Sequence, residues 1–354
     1  MSRDDVLDLP PADVAKILRL HYGVAADAIE VVSGEIATVC RVASGSRLLA
    51  FKAIPAPGDT ASLIRWQTSA MIKLARQGLP VPAVQPDIDG QPLVELPMSG
   101  SQILIQVSEW LTDPPLLDVP VDPPLLRAVG ETAARVNLAL SEFAPPPAPT
   151  RHPWELIRTG DTVRGLVDQV REPRLAALAH RALAVFDHDL VPLLGGVPWT
   201  VLHHDLHDSN LLVGEGPRGG RVVSGILDFG DMTYGPRLAE LAVAATYGAR
   251  NSADPEPALL DVAAGWAAVC PVTSPESLGL LPAVISRLAT NVTVWASRMS
   301  GPRAQYARNR MAGADETLDA LLGTDPAEFL GELRDRVRIG DDEKDPRKYL
   351  CQML

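Results

Sequence analysis

Two carboxylates and an amide, Asp205, Asn210 and Asp228, combine residue types and spacings that suit metal-assisted phosphate chemistry. They lie in TVLHHDLHDSNLLV (200–213) and VVSGILDFGD (222–231), two apolar runs separated by the turn GEGPRGGR (214–221). Apolar runs flanking a glycine-rich turn read as a β-hairpin. Antiparallel pairing returns the chain, so Asn210, just before the first strand, and Asp228, just after the second, emerge at the same end. Asp205 sits in the short loop leading into that end. Hard oxygen ligands suit Mg²⁺, which keeps several waters and completes its shell from phosphates. A third carboxylate beside such an ion can accept a hydroxyl proton or orient the hydroxyl. These are the parts phosphoryl transfer requires. A lone D-F-G is an ordinary turn and a lone HxD is equally weak. His203-x-Asp205-x4-Asn210 followed by a D-F-G at the end of the returning strand is far more specific.

The elements that must position these groups fall into two parts. Pro10-Pro11-Ala12-Asp13 starts a helix through His21-Tyr22. Strands are expected at Ile29–Val32, Ala37–Val42 and Leu48–Ile54, with turns at Ser33-Gly34 and Ser44-Gly45-Ser46. A helix over Thr60–Gln77 ends at Gly78. Two further strands follow, at Pro92–Leu96 and Ser101–Trp110. The proline-dense stretch Asp113–Pro124 breaks the pattern, and an amphipathic helix Leu125–Leu140 follows with Leu126, Val129, Ala133, Val136 and Leu140 on one stripe. Pro145–Pro149 reads as a stiff connector. Helix is expected over Leu175–Leu194 and over most of Pro236–Leu333, with a charged tail at 341–354 that frays. The chain is accordingly α+β and divides into an N-terminal nucleotide-binding lobe (1–107), a hinge and linker (108–124), and a C-terminal catalytic and substrate-binding lobe (125–354).

Bulk properties exclude several classes. A net charge of −12 over 354 residues leaves no basic footprint for nucleic acid. An acidic surface suits a cationic substrate, although on charge alone plain solubility is the favoured reading, by about threefold. Cys40, Cys270 and Cys351 are far apart and form no CxxC pair, against a disulfide framework or a structural zinc site. No uninterrupted apolar run approaches about 18 residues and the N-terminus lacks an apolar signal core, so no membrane partner and a cytoplasmic location are expected. The sequence contains no GxxxxGK[ST] and no GxSxG, which removes P-loop and serine-hydrolase readings.

The segment HHDLHDSNLL resembles the catalytic loop of the aminoglycoside phosphotransferase/choline kinase family, usually H-G-D-x-H-x-x-N, and GILDFGD resembles its metal-binding segment. VSGILDFGDM-x-Y-G, followed by E-x-A-V, is most like the hydroxylysine kinase-like members. The resemblance implies a bilobal protein-kinase-like fold, with a strand-rich N-lobe, a mostly helical C-lobe and a nucleotide between them. It implies that Asp205 is the catalytic base or hydroxyl-positioning residue and that Asn210 and Asp228 hold Mg²⁺. His203 would brace the loop, and His207 would be structural. Lys52 would hold the α- and β-phosphates of ATP or GTP. Its usual glutamate partner is replaced by Gln67. The backbone of the hinge, including Ser108, Glu109 and Trp110, would bind the base. The turn at residues 33–38 stands where a phosphate-covering loop belongs.

The acceptor is expected to be a small amine-bearing molecule with a hydroxyl, either a metabolite such as hydroxylysine or an antibiotic in a resistance role. Candidate ligands are Asp208 and Asp231 for an ammonium, Trp154 in the segment 151–156, and Asn291, Trp295 and Arg298 at helical spacing. Glu240 reads as a brace. Two other readings compete. One is a metal-dependent hydrolase using His203, His204 and His207, although adjacent histidines on a strand point apart. The other is a catalytically inactive nucleotide-binding protein, for which Gln67 gives slight support.

Overall fold

Period-two burial shapes the first unit. In strand β3, Leu49, Phe51 and Ala53 are buried, and the residues between them face the other way. The computed structural model describes residues 7, 9–32, 37–98, 101–148, 150, 152–217, 219–301 and 304–337. The turn at 33–36, Arg151, Cys351 and the tail 341–354 lie outside the described residues. The chain divides into two units, 1–113 with 146–149, and 114–145 with 150–354.

In the first unit, helix α1 (Pro11–Tyr22) starts on prolines, whose fixed φ suits a first helical turn, and stops at Gly23 in the left-handed region. Strands β1 (Ala28–Val32), β2 (Thr38–Ser44) and β3 (Arg47–Pro55) form an antiparallel meander. Helix α2 (Thr60–Arg76) then precedes β4 (Val94–Met98) and β5 (Ser101–Glu109). The five-stranded sheet runs β1-β2-β3-β5-β4. Val14, Leu18 and Tyr22 of α1 pack with Cys40, Val42, Phe51 and Ile105 on one face.

The second unit is mostly helical. Helix α3 (Pro123–Leu140) is capped by Asp122, whose carboxylate accepts from the Leu125 amide. Its expected stripe, Leu126, Val129, Ala133, Val136 and Leu140, is buried. Helices α4 (Thr159–Leu166) and α5 (Pro173–Val185) follow. Then come β6 (Trp199–Leu202), β7 (Leu211–Glu215), β8 (Arg221–Ile226) and β9 (Thr233–Pro236). Strands β7 and β8 form the expected hairpin, with Leu211 opposite Ile226. The pairing of β9 with β6, from Leu202↔Thr233 to Trp199↔Pro236, was not expected. Helices α6 (Leu238–Arg250), α7 (Pro255–Val269), α8 (Ser274–Arg298), α9 (Ala304–Met311), α10 (Ala314–Leu321) and α11 (Pro326–Arg336) complete the unit.

Two glycines fix the approach of α3 and α7. A Cβ at Gly130 would overlap the Val262 carbonyl oxygen, and one at Gly265 would overlap that of Arg127. Helix α8 is long and apolar enough by length and composition to cross a membrane, but 94% of its most apolar window is buried inside the unit. It is a core helix that begins at a Thr273–Glu276 capping box.

Candidate active site

Strand β6 ends at Leu202, and the chain turns through His203 and His204 toward Asp205. His204 takes φ 69°, a region that glycine enters without steric cost. The family pattern carries glycine at this position. The turn is anchored from α6, where the two Glu240 carboxylate oxygens accept the amides of His203 (3.2 Å) and His204 (2.9 Å). Burial drives the Glu240 carboxyl up, and the two amides pull it back only part of the way, leaving it at about 8. His203 stacks edge-on against Phe229, with ring centroids 4.6 Å apart, and its Nδ1 accepts from the Asp205 amide. Burial pushes the His203 ring down to about 4, so it is neutral. His204 is likewise held well below the usual imidazole range by burial, with Arg287 and His152 adding to the effect.

Asp205 is held from several sides. Asn210 Nδ2 donates to its backbone oxygen at 3.0 Å and to Oδ2 at 2.8 Å. His207 accepts the Ser209 amide on Nδ1, and its Nε2 lies 3.4 Å from Asp205 Oδ2 and 3.3 Å from Arg310 NH2. Arg287 NH2 lies 3.5 Å from Oδ1. The Asp205 side chain keeps 15% of its surface exposed, so a small hydroxyl can reach it.

Asn210 and Asp228 sit at the same end of the β7–β8 hairpin. The Leu227 amide donates to the Asn210 carbonyl (2.8 Å), which places Asp228 one residue beyond that rung. Asp228 takes φ 55°, and its Oδ1 accepts the Gly230 amide at 3.2 Å. The Asn210 amide nitrogen is spent on Asp205, so its side-chain oxygen is the atom that could take a cation. One carboxylate and one amide oxygen form a hard donor pair that fits Mg²⁺, an ion that draws the rest of its shell from phosphate and water.

The acceptor candidates separate. Trp154 and Trp295 come together, with centroids 6.0 Å apart, and Arg298 stacks on Trp295 at 4.9 Å. Tyr306 closes on Trp295 edge-on. Asp231 lies 3.7 Å from His152 Nε2. Asp208 does not join them. Its side chain is 1% exposed, it pairs with the buried Arg250, and it accepts from Asn251 at 3.0 Å. Burial alone would raise the Asp208 carboxyl, but His207, Arg250 and Asn251 more than offset it and hold it below the usual range. Oδ2 takes the Arg250 and Asn251 contacts while Oδ1 is buried without a hydrogen-bond partner, and a carboxylate 1% exposed beside Arg250 is out of reach of an ammonium, so Asp208 braces the loop rather than binding the substrate.

In the first unit, Lys52 is the register partner of Gln106 and shares its face of the sheet. Gln106 Nε2 donates to Thr68 of α2 at 2.8 Å, so α2, which also carries Gln67, packs on the Lys52 side. The segment 108–110, where the hinge was expected, lies at the end of the five-stranded sheet. Strand β5 runs through Glu109, whose amide donates to the Ala83 carbonyl, and the Trp110 amide donates to that of Leu48. Both N–H groups are thus paired with backbone carbonyls, that of Trp110 to strand β3 and that of Glu109 to Ala83, outside the strands.

Sequence reasoning missed Arg287 and Tyr247. Arg287 lies one helical turn before Asn291 on α8, so extending the Asn291–Trp295–Arg298 stripe toward the helix start would have found it. The hydrolase reading finds no support, because among the described residues no three His, Cys, Asp or Glu side chains are arranged to hold a metal.

The architecture is that of a kinase-like phosphotransferase, with a five-stranded antiparallel unit and a helical unit carrying the catalytic hairpin. The profile of the Phosphotransferase enzyme family (APH) matches residues 27–272, and the chain belongs to that family. It is 30% identical over 246 residues to a hydroxylysine kinase of Xenopus laevis, a match that spans 66% of this chain and 66% of that relative's length. A microcompartment-associated aminopropanol kinase shares the fold at TM-score 0.68 and 18% identity, covering 89% of this chain and 99% of its own. An amicoumacin kinase does so at 0.67 and 12%, covering 91% and 97%.

Proposed function

We propose that this protein transfers the γ-phosphate of ATP or GTP to a hydroxyl of a small amine-bearing metabolite, hydroxylysine-like in chemistry. Asp205 orients the acceptor hydroxyl and takes its proton as the new O–P bond forms and the bond to the β-phosphate oxygen breaks. Asn210 and Asp228 hold Mg²⁺, which supplies charge neutralisation for the phosphate oxygens. Lys52 steadies the other phosphates. The observation that carries the reading is the 2.8 Å hydrogen bond between Asn210 and Asp205, which fixes the catalytic carboxylate to the residue assigned to the metal. The hydroxylysine kinase relatives favour a metabolite over an antibiotic, and a nucleotide donor is compatible with a cytoplasmic location.

The test is a phosphate-transfer screen of amino alcohols, hydroxy amino acids and aminoglycosides with ATP and with GTP. Turnover that requires Mg²⁺, survives zinc chelation and falls by about 10³-fold or more in Asp205→Asn supports the reading. An Asp205→Asn variant with near-normal turnover would refute the role given to this residue.

A further inference from the structure

A hydroxyl that docks on Asp205 has a guanidinium for a neighbour. The Arg287 side chain is 6% exposed; its NH2 lies 3.5 Å from Asp205 Oδ1 and its NH1 3.3 Å from the Trp154 carbonyl, with the Tyr247 hydroxyl and Asp231 as further neighbours. Its carbon atom CZ lies over the rings of Trp154 (4.9 Å) and Tyr247 (5.8 Å). A guanidinium offers five N–H donors, and the Arg287 Nε–H is buried with no partner. Two more orphaned atoms belong to its surroundings. Asn291, one turn along α8, gives Nδ2 to the Tyr247 hydroxyl at 3.4 Å and leaves Oδ1 unpartnered, while His204, which feels the Arg287 charge, leaves Nδ1 unpartnered. Buried polar groups are nearly always paired, so three orphans around one cation describe a place where a polar group of a ligand belongs.

The sign of that group follows from the local charge. Arg287, Arg298 and Arg310 all stack on the Trp154–Trp295–Tyr247 cluster, in a chain whose overall charge is −12. Asp205 and Asp231 answer part of this positive charge, and the Arg287 Nε–H is the donor left over for a carboxylate. We infer that the acceptor carries a carboxylate and that Arg287 is the residue that reads it. The inference rests on the phosphotransfer reading for its hydroxyl and adds the second recognition group. With the hydroxyl on Asp205 and the carboxylate on Arg287, each at hydrogen-bond distance, the two oxygens lie at most about 9 Å apart. That span admits a hydroxy amino acid. The Asn291 carbonyl oxygen and Asp231 remain for its ammonium.

The experiment compares hydroxylysine, homoserine and threonine, each with its carboxamide, on the wild-type protein and on Arg287→Met and Arg287→Lys. Binding is measured by calorimetry without nucleotide, and kcat/KM with it. Wild type is expected to favour at least one carboxylate over its amide by about 100-fold. Arg287→Met should erase that preference, lowering kcat/KM for the acid through KM far more than for the carboxamide, and Arg287→Lys should restore part of it. Equal losses on acid and amide would instead mean that Arg287 only positions Asp205, and would overturn the inference. So would a wild type that does not discriminate, or that binds none of the three acids; this comparison needs no variant to fold. Discriminating binding without phosphate transfer would sink the kinase reading and leave the Arg287 assignment standing.

Discussion

Replacing Asp208 with alanine tests whether the catalytic loop is braced or whether this carboxylate serves the substrate. Asp208 and Arg250 are both buried, with side chains 1% and 7% exposed, and Asn251 and His207 complete the cluster. Removing the carboxylate strands the Arg250 guanidinium, which keeps only the Arg310 carbonyl at 3.2 Å and the face of the Tyr247 ring. Breaking one side of a buried ion pair costs about 3–5 kcal/mol. For a unit of this size that lowers the melting temperature by roughly 6–20 °C. The assay is urea unfolding at pH 7, with Asp208→Ala, Arg250→Met and the double variant forming a cycle. The double variant should be more stable than the sum of the singles by about 2 kcal/mol or more. The Asp208 carboxyl is held low in the fold, so its contribution is present above the unfolded value near 4 and is lost as pH falls below it. Part of the acid sensitivity of the wild type below about pH 4 should therefore vanish in the variant. An Asp208→Ala protein with stability within about 0.5 kcal/mol of wild type and a raised KM for the acceptor would refute the brace and restore a substrate role.

Three further outcomes are expected. His204→Gly and His204→Ala both remove the imidazole, but only alanine is strained at φ 69°, so the glycine variant should be the more stable by about 1 kcal/mol in denaturant titration; equal stabilities would deny the strain. Glu240, raised to about 8, contributes stability that is full below its unfolded value near 4.5 and is lost as pH rises through 8. Melting temperatures of Glu240→Gln between pH 5 and 8 should therefore decline less with pH than those of wild type, and parallel slopes would contradict the burial argument. Gly130→Ala drives a methyl into the Val262 carbonyl and should destabilise the second unit by about 3 kcal/mol or more; a melting curve matching wild type would show that the helices yield.

The parts of the site written in local pattern were legible. The apolar–glycine–apolar stretch 200–231 placed Asn210 and Asp228 at one end of a hairpin, because strand pairing follows directly from the turn between the runs. Strand β9 was hidden for the opposite reason. Its four residues include Gly235 and Pro236, its partner β6 lies some thirty positions back, and its pairing is a tertiary event without local signature. Asp208 was misjudged because residue type cannot separate a solvated carboxylate from one claimed by an arginine 42 residues later. Arg287 was invisible among its apolar neighbours. A charge inside a core helix is read correctly only once the group it faces is known.

The pairing of β6 with β9 turns residues 203–232 into a closed loop, clipped at its base by Leu202 and Thr233. Asp205, Asn210 and Asp228 all hang near that clip, while Gly216, Gly219 and Gly220 lie at the far tip. The loop thus behaves as a pendant whose working parts are at the clasp. Closing thirty residues is an entropic cost already met in the fold, and ten more at the tip would add only about 0.3 kcal/mol. Length and composition at the tip are therefore free to drift without disturbing the clasp. The same tip is where a short reporter peptide can be spliced into this protein while its chemistry is left alone.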